Sequence, residues 1–273
     1  MDNELLLFDR IQVIQATNQK FDLEHNAYLS FSGGKDSTIL HYLLDKALPN
    51  NRIPRVFIDT GIEYTMIRQF VLNLAKNDDR FVILKPTQPI KQTLEKYGYP
   101  FKSKEFSGRV SEYYDNADII DQYKNYSTEE LKEYMLKNKE LEKSLLGKGI
   151  FIIYYLHDLR AIRDKNGYIV DLETTTQFAH PKKLEYLFSK DSDMFISNKC
   201  CQKLKKEPAH KWAKANNRTI IMTGMRRDEG GQRANIKGCI LTDKNGQVYK
   251  FHPLLVVSDQ WEEWFIERER ERR

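Results

Sequence analysis

The chain has 273 residues, of which 40% are hydrophobic and 30% charged, enough to bury a substantial core and to exclude a disordered or fibrous protein. With 44 basic and 39 acidic residues the net charge is +5, which allows a polyanionic partner without requiring one. No apolar stretch approaches the roughly 20 residues that span a bilayer, and the acidic start lacks the basic region of a secretory signal, so we expect a cytoplasmic protein with no membrane partner.

Helical and strand patterns alternate in the first part of the chain. Apolar residues at helical spacing predict an amphipathic helix over residues 5–21. Short apolar runs at 27–31, 55–59 and 81–84 predict buried strands, and a helical pattern follows each of the first two. This alternation predicts an α/β fold with a parallel sheet and helices on both faces.

The alternation breaks in a segment rich in Tyr, Lys, Asp and Asn. Ser127 opens a capping-box pattern that predicts a helix to about residue 146, whereas residues 149–155 fit a strand or a buried helix equally well. We predict one α/β domain from residues 1–100 and 197–273. Residues 101–196 are predicted to be a largely helical insertion that serves as a lid, a dimer arm or a partner surface.

The α/β pattern returns after the insertion. A helical pattern follows residue 201, an apolar run predicts a strand at 219–223, and a last helix begins near residue 260. We expect these elements to join the sheet of the first part.

The strongest functional signal is the sequence Ser-Phe-Ser-Gly-Gly-Lys-Asp-Ser at residues 30–37, between the first strand and its helix. Glycines at such a junction let backbone N–H groups approach an anion, and the helix dipole favours negative charge there. Lys35 can neutralise phosphate charge, and Asp36 can hold a magnesium ion that bridges phosphate oxygens. Leu29 and Asp36 stand where a Walker A loop has glycine and a hydroxyl residue, so this is a different loop. The predicted phosphate contacts are Ser30, Ser32, Gly33, Gly34, Lys35, Asp36 and Ser37.

This loop resembles the PP-loop of the adenine nucleotide alpha hydrolase superfamily, and the chain is similar to the phosphoadenosine phosphosulfate (PAPS) reductase family within it. The resemblance covers about residues 27–100 and 197–266. It implies a Rossmann-like fold of the HUP type that binds ATP, or adenylyl sulfate (APS) or PAPS. Asp59, Thr60 and Gly61 resemble the family's DTG segment, which implies contacts with the nucleotide. Capping of the next helix is an alternative role that is compatible with this one.

Residues 224–233 resemble the family's arginine segment, whose arginines hold phosphate or sulfate. Gly224, Arg226 and Arg233 match that segment, whereas Gly230 stands where a serine is usual. A solvated basic turn is the alternative interpretation. The predicted catalytic residues are Lys35, Asp36, Arg226 and Arg233.

The three cysteines form a second candidate site. Cys200 and Cys201 resemble the cysteine pair of APS reductases, which ligates a 4Fe-4S cluster, and Cys239 is a third candidate ligand. Three ligands would leave one iron open, as in the similar tRNA 2-thiocytidine synthetases, where that iron is proposed to carry sulfide. Zinc with His210 as fourth ligand, or three buried thiols, are the alternatives.

Two departures from the reductases favour ATP chemistry. No cysteine follows Cys239, so nothing in these residues matches the catalytic cysteine of the reductases. The run Lys35-Asp36-Ser37 is intact, whereas APS and PAPS reductases usually have a degenerate loop. We therefore expect an enzyme that cleaves magnesium-bound ATP between the alpha and beta phosphates and adenylylates an acceptor, for sulfur transfer of the nucleic-acid thiolation type.

The expected partners are the adenine nucleotide, a nucleic-acid acceptor, a sulfur-donor protein and a second copy of the chain. Lysines that follow Cys201 suit a polyanion, although a solvated helix face is the simpler interpretation. The alternatives are APS or PAPS reduction with a cysteine from elsewhere, sulfate adenylyltransferase, and a nucleotide-sensing module without turnover.

Overall fold

The computed structural model describes residues 2–176 and 181–271. The chain divides into two units. The sheet unit comprises Met1–Ile90 and Lys203–Arg273, and the helical unit comprises Lys91–Gln202. In the described ranges, every helix is too short or too polar to cross a membrane.

The strands of both units are short. In chain order they are β1 (Ala27–Ser30), β2 (Arg55–Ile58), β3 (Phe81–Leu84), β4 (Leu159–Arg163), β5 (Ile169–Thr174), β6 (Ile220–Met222), β7 (Ile240–Thr242) and β8 (Val248–Phe251). Six of them form the central sheet of the sheet unit, in the order β3-β2-β1-β6-β8-β7. Neighbours pair in parallel except for β7, which runs antiparallel to β8 at the edge. The predicted α/β fold with a Rossmann-like parallel sheet is confirmed, with one antiparallel edge strand added.

Helices form at the segments with predicted helical periodicity and at several further segments that were not predicted. They are α1 (Asn3–Phe21), α2 (Leu23–Asn26), α3 (Lys35–Ala47), α4 (Thr65–Asn77), α5 (Ile90–Tyr97), α6 (Lys104–Asp115), α7 (Ala117–Ile120), α8 (Thr128–Lys137), α9 (Lys139–Ser144), α10 (Ile150–Leu156), α11 (Lys199–Cys201), α12 (Glu207–Ala215) and α13 (Asp259–Glu271). A π-helical segment, Gln202–Lys206, leads into α12, and 3-10 turns occupy Lys182–Leu187, Arg227–Glu229 and Gly231–Asn235.

Successive residues of β1 point to opposite faces of the sheet, as in any strand. Leu29 is fully buried in the main core, to which α1, α3, α4 and α13 also contribute. Tyr28 packs on the other face with Val56 and with Ala213 of α12. Its ring meets that of Trp212 edge to face, with 5.7 Å between the centroids. Helices therefore cover both faces of the sheet.

The helical unit has a core of its own, formed by α6 to α10 with the β4–β5 hairpin. The segment that fitted strand or helix is α10. Ser127 caps α8 with the predicted capping box, but that helix ends at Lys137 and a separate helix follows Asn138. The β4–β5 hairpin was not predicted. Buried residues of β5 do not alternate with exposed ones, so its sequence lacks the alternation of apolar and polar residues that predicts a strand.

Candidate functional site

The candidate site lies where the order of strands changes direction. From β1 the chain adds β2 and β3 on one side, whereas β6, β8 and β7 lie on the other. Ligands of open α/β sheets bind outside the carboxyl ends of the strands at such a point. The predicted phosphate loop leaves β1 there, and the arginine segment follows β6 at the same edge.

Two glycines are required by close packing around this loop. Gly33 has φ +76, and a Cβ on it would lie 2.7 Å from side-chain carbons of both Ile67 and Val71. A Cβ on Gly224 would lie 2.8 Å from the carbonyl carbon and oxygen of Asp36. Backbone atoms cannot move aside cheaply, so a larger residue at position 224 would displace the first turn of α3.

The serines of the loop hold its shape. The Ser32 N–H donates to Ser37 Oγ at 3.2 Å, and the Ser37 hydroxyl donates to the Gly34 carbonyl at 3.0 Å. The Gly34 N–H donates in turn to Ser32 Oγ. Because α3 begins at Lys35, the first N–H groups of the helix lack partners within it and are directed outward. Such a turn at a helix N-terminus suits an anion, and the phosphate contacts of this loop stay a prediction.

Two cations meet beside the loop, together with four carboxylates, of which Asp228, at 4.0 Å from Arg226 Nη1, is the most distant. Lys35 Nζ lies 2.9 Å from Asp259 Oδ1 and 2.9 Å from Glu262 Oε2. Arg226 Nη2 lies 2.9 Å from the same Asp259 oxygen, and its Nε lies 3.2 Å from Glu262 Oε1 and 3.5 Å from Asp36. The Glu262 side chain is fully buried, whereas that of Asp259 is 62% exposed. Both acids belong to the first turn of α13.

The mutual contacts shift the ionisation of this cluster. The hydrogen bond to Asp259 and then the ionic contact with Glu262 raise the pKa of the Lys35 ammonium, and the contact with Lys35 lowers the pKa of Asp259. Burial raises the pKa of Glu262. Burial alone would lower the pKa of Arg226, but the nearby charges of Glu262 and Asp36 outweigh it and raise the pKa. Both cations therefore remain charged at neutral pH.

Arg226 is buried without full hydrogen bonding. It is 4% exposed, yet its Nε and Nη1 have no hydrogen-bond partner, and neither has the carboxylate of Glu262. The short distances between them are ion-pair contacts that lack hydrogen-bond geometry. Buried polar atoms are nearly always satisfied in native proteins, so this arginine has donors to spare for a ligand.

The segment after β2 forms its own pairs. Arg68 Nε donates to both oxygens of the Asp59 carboxylate at 3.0 Å and thereby lowers its pKa. The Thr60 N–H and hydroxyl donate to Glu63, at 3.0 and 2.7 Å. Burial would raise the pKa of Glu63, but these bonds lower it overall. Gly61, with φ +83, makes the turn between the two pairs.

A cavity of about 180 Å³ adjoins the phosphate loop. Its walls combine side chains of β1, β2, β6 and the α12 region, at the carboxyl edge of the sheet. The residues that line it are Tyr28, Ser30, Phe31, Ser32, Val56, Phe57, Ile58, Glu63, Lys205, Lys206, Ala209, His210 and Ile221. Lys205 Nζ lies 3.5 Å from Glu63, so the rim of the cavity carries a positive and a negative side chain. Apolar walls with a few polar groups suit a planar ring that bears a polar tail.

Arg233 is placed differently from Arg226. It forms an ion pair with Glu229, four residues earlier, and is about half exposed. The structure therefore brings Arg226 to the cations and carboxylates beside the loop, while the predicted role of Arg233 stays a prediction.

The cysteines do not meet in a ligand group. Cys200 and Cys201 belong to the helical unit and Cys239 to the sheet unit. Within residues 2–176 and 181–271, no three His, Cys, Asp or Glu side chains form a group that could hold a metal ion. Cys239 Sγ instead accepts a hydrogen bond from Arg10 at 3.6 Å and packs beside the main core. The structure gives no support to the predicted iron-sulfur cluster, and the three cysteine ligands stay a prediction.

Several residues of the site were not singled out from the sequence. In the sequence alone, Asp259 and Glu262 look like exposed polar residues of the last helix. Glu63 looks like part of a loop. The available signal was weak: Glu262 lies between two tryptophans of a helix that packs on the core, where a charged side chain is unusual.

Comparison with known proteins identifies the family. A sequence model described as the phosphoadenosine phosphosulfate reductase domain matches residues 26–129 and 160–270, which is more than half of the chain. The chain belongs to this family. The match confirms the resemblance that rests on the phosphate loop.

Individual relatives are distant. A stretch of 99 residues is 31% identical to an uncharacterized protein of Methanocaldococcus jannaschii and covers 36% of this chain and 24% of that protein. The chain thus matches about a quarter of the length of that relative. A phosphoadenylyl-sulfate (PAPS) reductase from Candida auris, in a phosphate complex, is similar over 96% of this chain and 79% of that chain, with 14% identity and a TM-score of 0.46. An NH3-dependent NAD synthetase from Campylobacter jejuni covers 36% of this chain and 40% of that chain, with 22% identity and a TM-score of 0.28.

Proposed function

We propose that the protein binds ATP and cleaves it between the alpha and beta phosphates to adenylylate an acceptor. One observation carries this proposal. The ammonium of Lys35 and the guanidinium of Arg226 converge on a single oxygen, at the start of α3, where backbone N–H groups are also directed outward. Two cations and a helix N-terminus at one point form a site for a multiply charged phosphate chain.

The cavity next to the loop suits the nucleoside. With the phosphates on residues 32–37, the base and ribose would enter the space walled by Phe31, Phe57 and Ile58. Ser30 and Glu63 supply the polar groups of that wall. We place the predicted contacts of Asp59 and Thr60 around this cavity, through the loop that both residues shape.

The reaction requires the protein to position ATP and the acceptor and to neutralise charge on the phosphates. A nucleophilic oxygen of the acceptor bonds to the alpha phosphorus, the bond from that phosphorus to the bridging oxygen breaks, and its electron pair leaves with pyrophosphate. Lys35 and Arg226 neutralise the charge that grows on the leaving group. The acceptor proton passes to solvent or to pyrophosphate.

Magnesium fits this site through one protein ligand. Mg²⁺ is usually held by one or two carboxylates together with substrate phosphates and water, and Asp36 is the carboxylate nearest the loop. When bound, the ion would add positive charge on the phosphates. The cysteines do not form a ligand group among the described residues, so no step is derived through an iron-sulfur cluster.

Sulfur transfer to a nucleic acid is the extension of this proposal that we favour. Lys205 and Lys206 line the cavity beside the phosphate loop and add positive charge where an acceptor would approach. Cys200 and Cys201 closely precede these lysines in the chain. One of these thiols would receive the outer sulfur of a persulfide on the sulfur-donor protein, whose own cysteine is released as a thiol.

Reduction of APS or PAPS is a second candidate, because the family takes its description from that activity. The two reactions differ in their products. ATP cleavage releases pyrophosphate, whereas reduction releases sulfite and consumes thiol electrons. Incubating the purified protein with ATP, APS and PAPS in turn, with reduced thioredoxin present, separates them.

Substitution of the loop lysine tests the proposal. We expect Lys35→Met to lower the rate of pyrophosphate release by about 10²–10³-fold, because a positioned charge on the transferring group is lost. Lys46→Met removes the same charge from the other end of α3 and should leave the rate within about twofold. Wild-type protein that binds no ATP, or a Lys35→Met variant as active as wild type, would contradict the proposed function.

A further inference from the structure

The carboxylate of Asp259 bridges the two cations beside the phosphate loop. Its Oδ1 lies 2.9 Å from Lys35 Nζ and 2.9 Å from Arg226 Nη2. These cations come from different segments of the chain, the start of α3 and the turn after β6. A single oxygen bridging two cations is the arrangement that a bound phosphate makes.

The two acids of α13 differ in their freedom to leave. Glu262 is fully buried, below the same two cations, and has no room to turn away. Asp259 is 62% exposed and is the first residue of the helix. A carboxylate in contact with water loses little when it exchanges one ionic partner for the solvent. Asp259 is therefore the exchangeable anion of the cluster and Glu262 the fixed one.

Charge balance favours exchange over simple addition. Lys35 and Arg226 are two cations, whereas four carboxylates lie within 4.0 Å of one or both of them, those of Asp36, Asp228, Asp259 and Glu262. A phosphate that approached the intact cluster would meet more carboxylates than cations. Once Asp259 has moved away, this excess is smaller by one charge, and the Nε and Nη1 of Arg226, which have no hydrogen-bond partner, are donors for the new anion.

We propose that Asp259 is a built-in competitor of the nucleotide: it pairs Lys35 with Arg226 in the free protein, and the phosphates of the ligand take its place. The inference rests on the proposed function, since it assumes that nucleotide phosphates bind at this loop. Polyphosphates, which offer several oxygens to the two cations, should displace Asp259, while adenosine and other uncharged nucleosides should not. The pair thereby selects for ligands with a charged phosphate chain.

The test compares ATP and inorganic pyrophosphate binding to full-length wild type, Asp259→Asn and Glu263→Gln by titration calorimetry. Asparagine keeps the size of the side chain at the start of the helix but gives up its charge. Glu263 is the exposed residue next to Glu262 on the same helix, so its substitution removes an equal charge outside the cluster. Thermal unfolding of each variant verifies that it is folded.

We expect Asp259→Asn to bind both ligands about fivefold more tightly than wild type, which corresponds to the release of one exposed ion pair. Glu263→Gln should stay within about twofold of wild type. The gain should shrink in 0.5 M salt, because exposed ion pairs are screened. Unchanged or weaker binding by Asp259→Asn, or a gain that salt does not reduce, would overturn the inference while leaving the proposed function standing. If neither wild type nor Asp259→Asn binds ATP or pyrophosphate, the proposed function fails and the inference fails with it.

Discussion

Two buried arginines stand at opposite edges of the same sheet, and their surroundings differ. Arg55, at the start of β2, donates its Nε to His41, its Nη1 to Asn51 and its Nη2 to Asp45 at distances between 2.7 and 3.1 Å. Arg226, after the end of β6, leaves Nε and Nη1 without hydrogen-bond partners. A satisfied buried charge stabilises one conformation, whereas an unsatisfied one is ready to bind something else.

The difference follows from the polarity of a parallel sheet. The amino edge, where Arg55 lies, receives the ends of helices and short turns, and its polar groups are matched to each other. The carboxyl edge is where loops diverge at the change in strand order and leave room for a ligand. Burial is therefore common to the two arginines, and the number of hydrogen-bonded donors is what distinguishes them.

The largest expected effect comes from breaking the satisfied cluster. We expect Arg55→Met to lower the free energy of unfolding by about 3–5 kcal/mol, because His41, Asn51 and the Ile53 carbonyl each lose a buried donor, while Asp45 keeps its pair with Arg80. Urea titration measures this. ATP affinity of the folded variant should stay as in wild type.

Arg52→Met is the control for that experiment. Arg52 is three residues earlier, exposed, and paired with Asp79, so its loss should cost less than about 1 kcal/mol. Loss of ATP binding in a folded Arg55→Met variant would contradict the contrast between Arg55 and Arg226, since it would show that Arg55 also affects the nucleotide site.

Acid should weaken the same cluster. Burial lowers the pKa of His41 to about 4 from its ordinary 6.5, so the native state keeps this ring neutral while the unfolded chain takes up a proton. The contribution of His41 to the free energy of unfolding is thus complete above pH 6.5 and falls by about 3 kcal/mol as the pH drops to 4. Below that pH, His41 is protonated in both the native and the unfolded state.

Urea unfolding of wild type and His41→Gln between pH 7 and pH 4 measures this effect. Glutamine can still accept a hydrogen bond from Arg55 but does not titrate, so the variant should gain about 3 kcal/mol of stability relative to wild type between pH 7 and pH 4. Parallel pH curves for the two proteins would show that His41 does not account for the loss.

A smaller effect is expected at the carboxyl edge. Gly224→Ala should cost about 1–3 kcal/mol of stability and weaken ATP binding, because the new Cβ presses on the backbone of Asp36 at the start of α3. Gly238→Ala is the matched control, since its Cβ would meet its nearest neighbour, the Ile240 carbonyl oxygen, at 3.8 Å. Equal ATP affinities for the two variants would mean that the turn at Asp36 does not shape the phosphate site.

Local patterns account for what could be predicted. The strand around Leu29, the loop with Gly33 and the helix from Lys35 follow one another within 20 residues, so periodicity and glycine placement were enough to recognise them. The capping box at Ser127 is local in the same way and was predicted correctly. The edge strand β7 and its neighbour β8 were missed, because three or four residues of mixed polarity give no clear period.

The sequence by itself determined the family and the fold class, and it located the glycine loop between the first strand and its helix, because the residues that carry these signals follow one another along the chain. It could not show that Asp259 and Glu262 meet Lys35, since 224 residues separate Lys35 from Asp259 and acids at the start of a helix are ordinary surface residues in any sequence. The tertiary structure alone decided which of the two predicted arginines reaches that cluster and which of the neighbouring acids is buried. Packing of α13 against α3 is responsible, because it excludes water from Glu262 and leaves Asp259 at the rim.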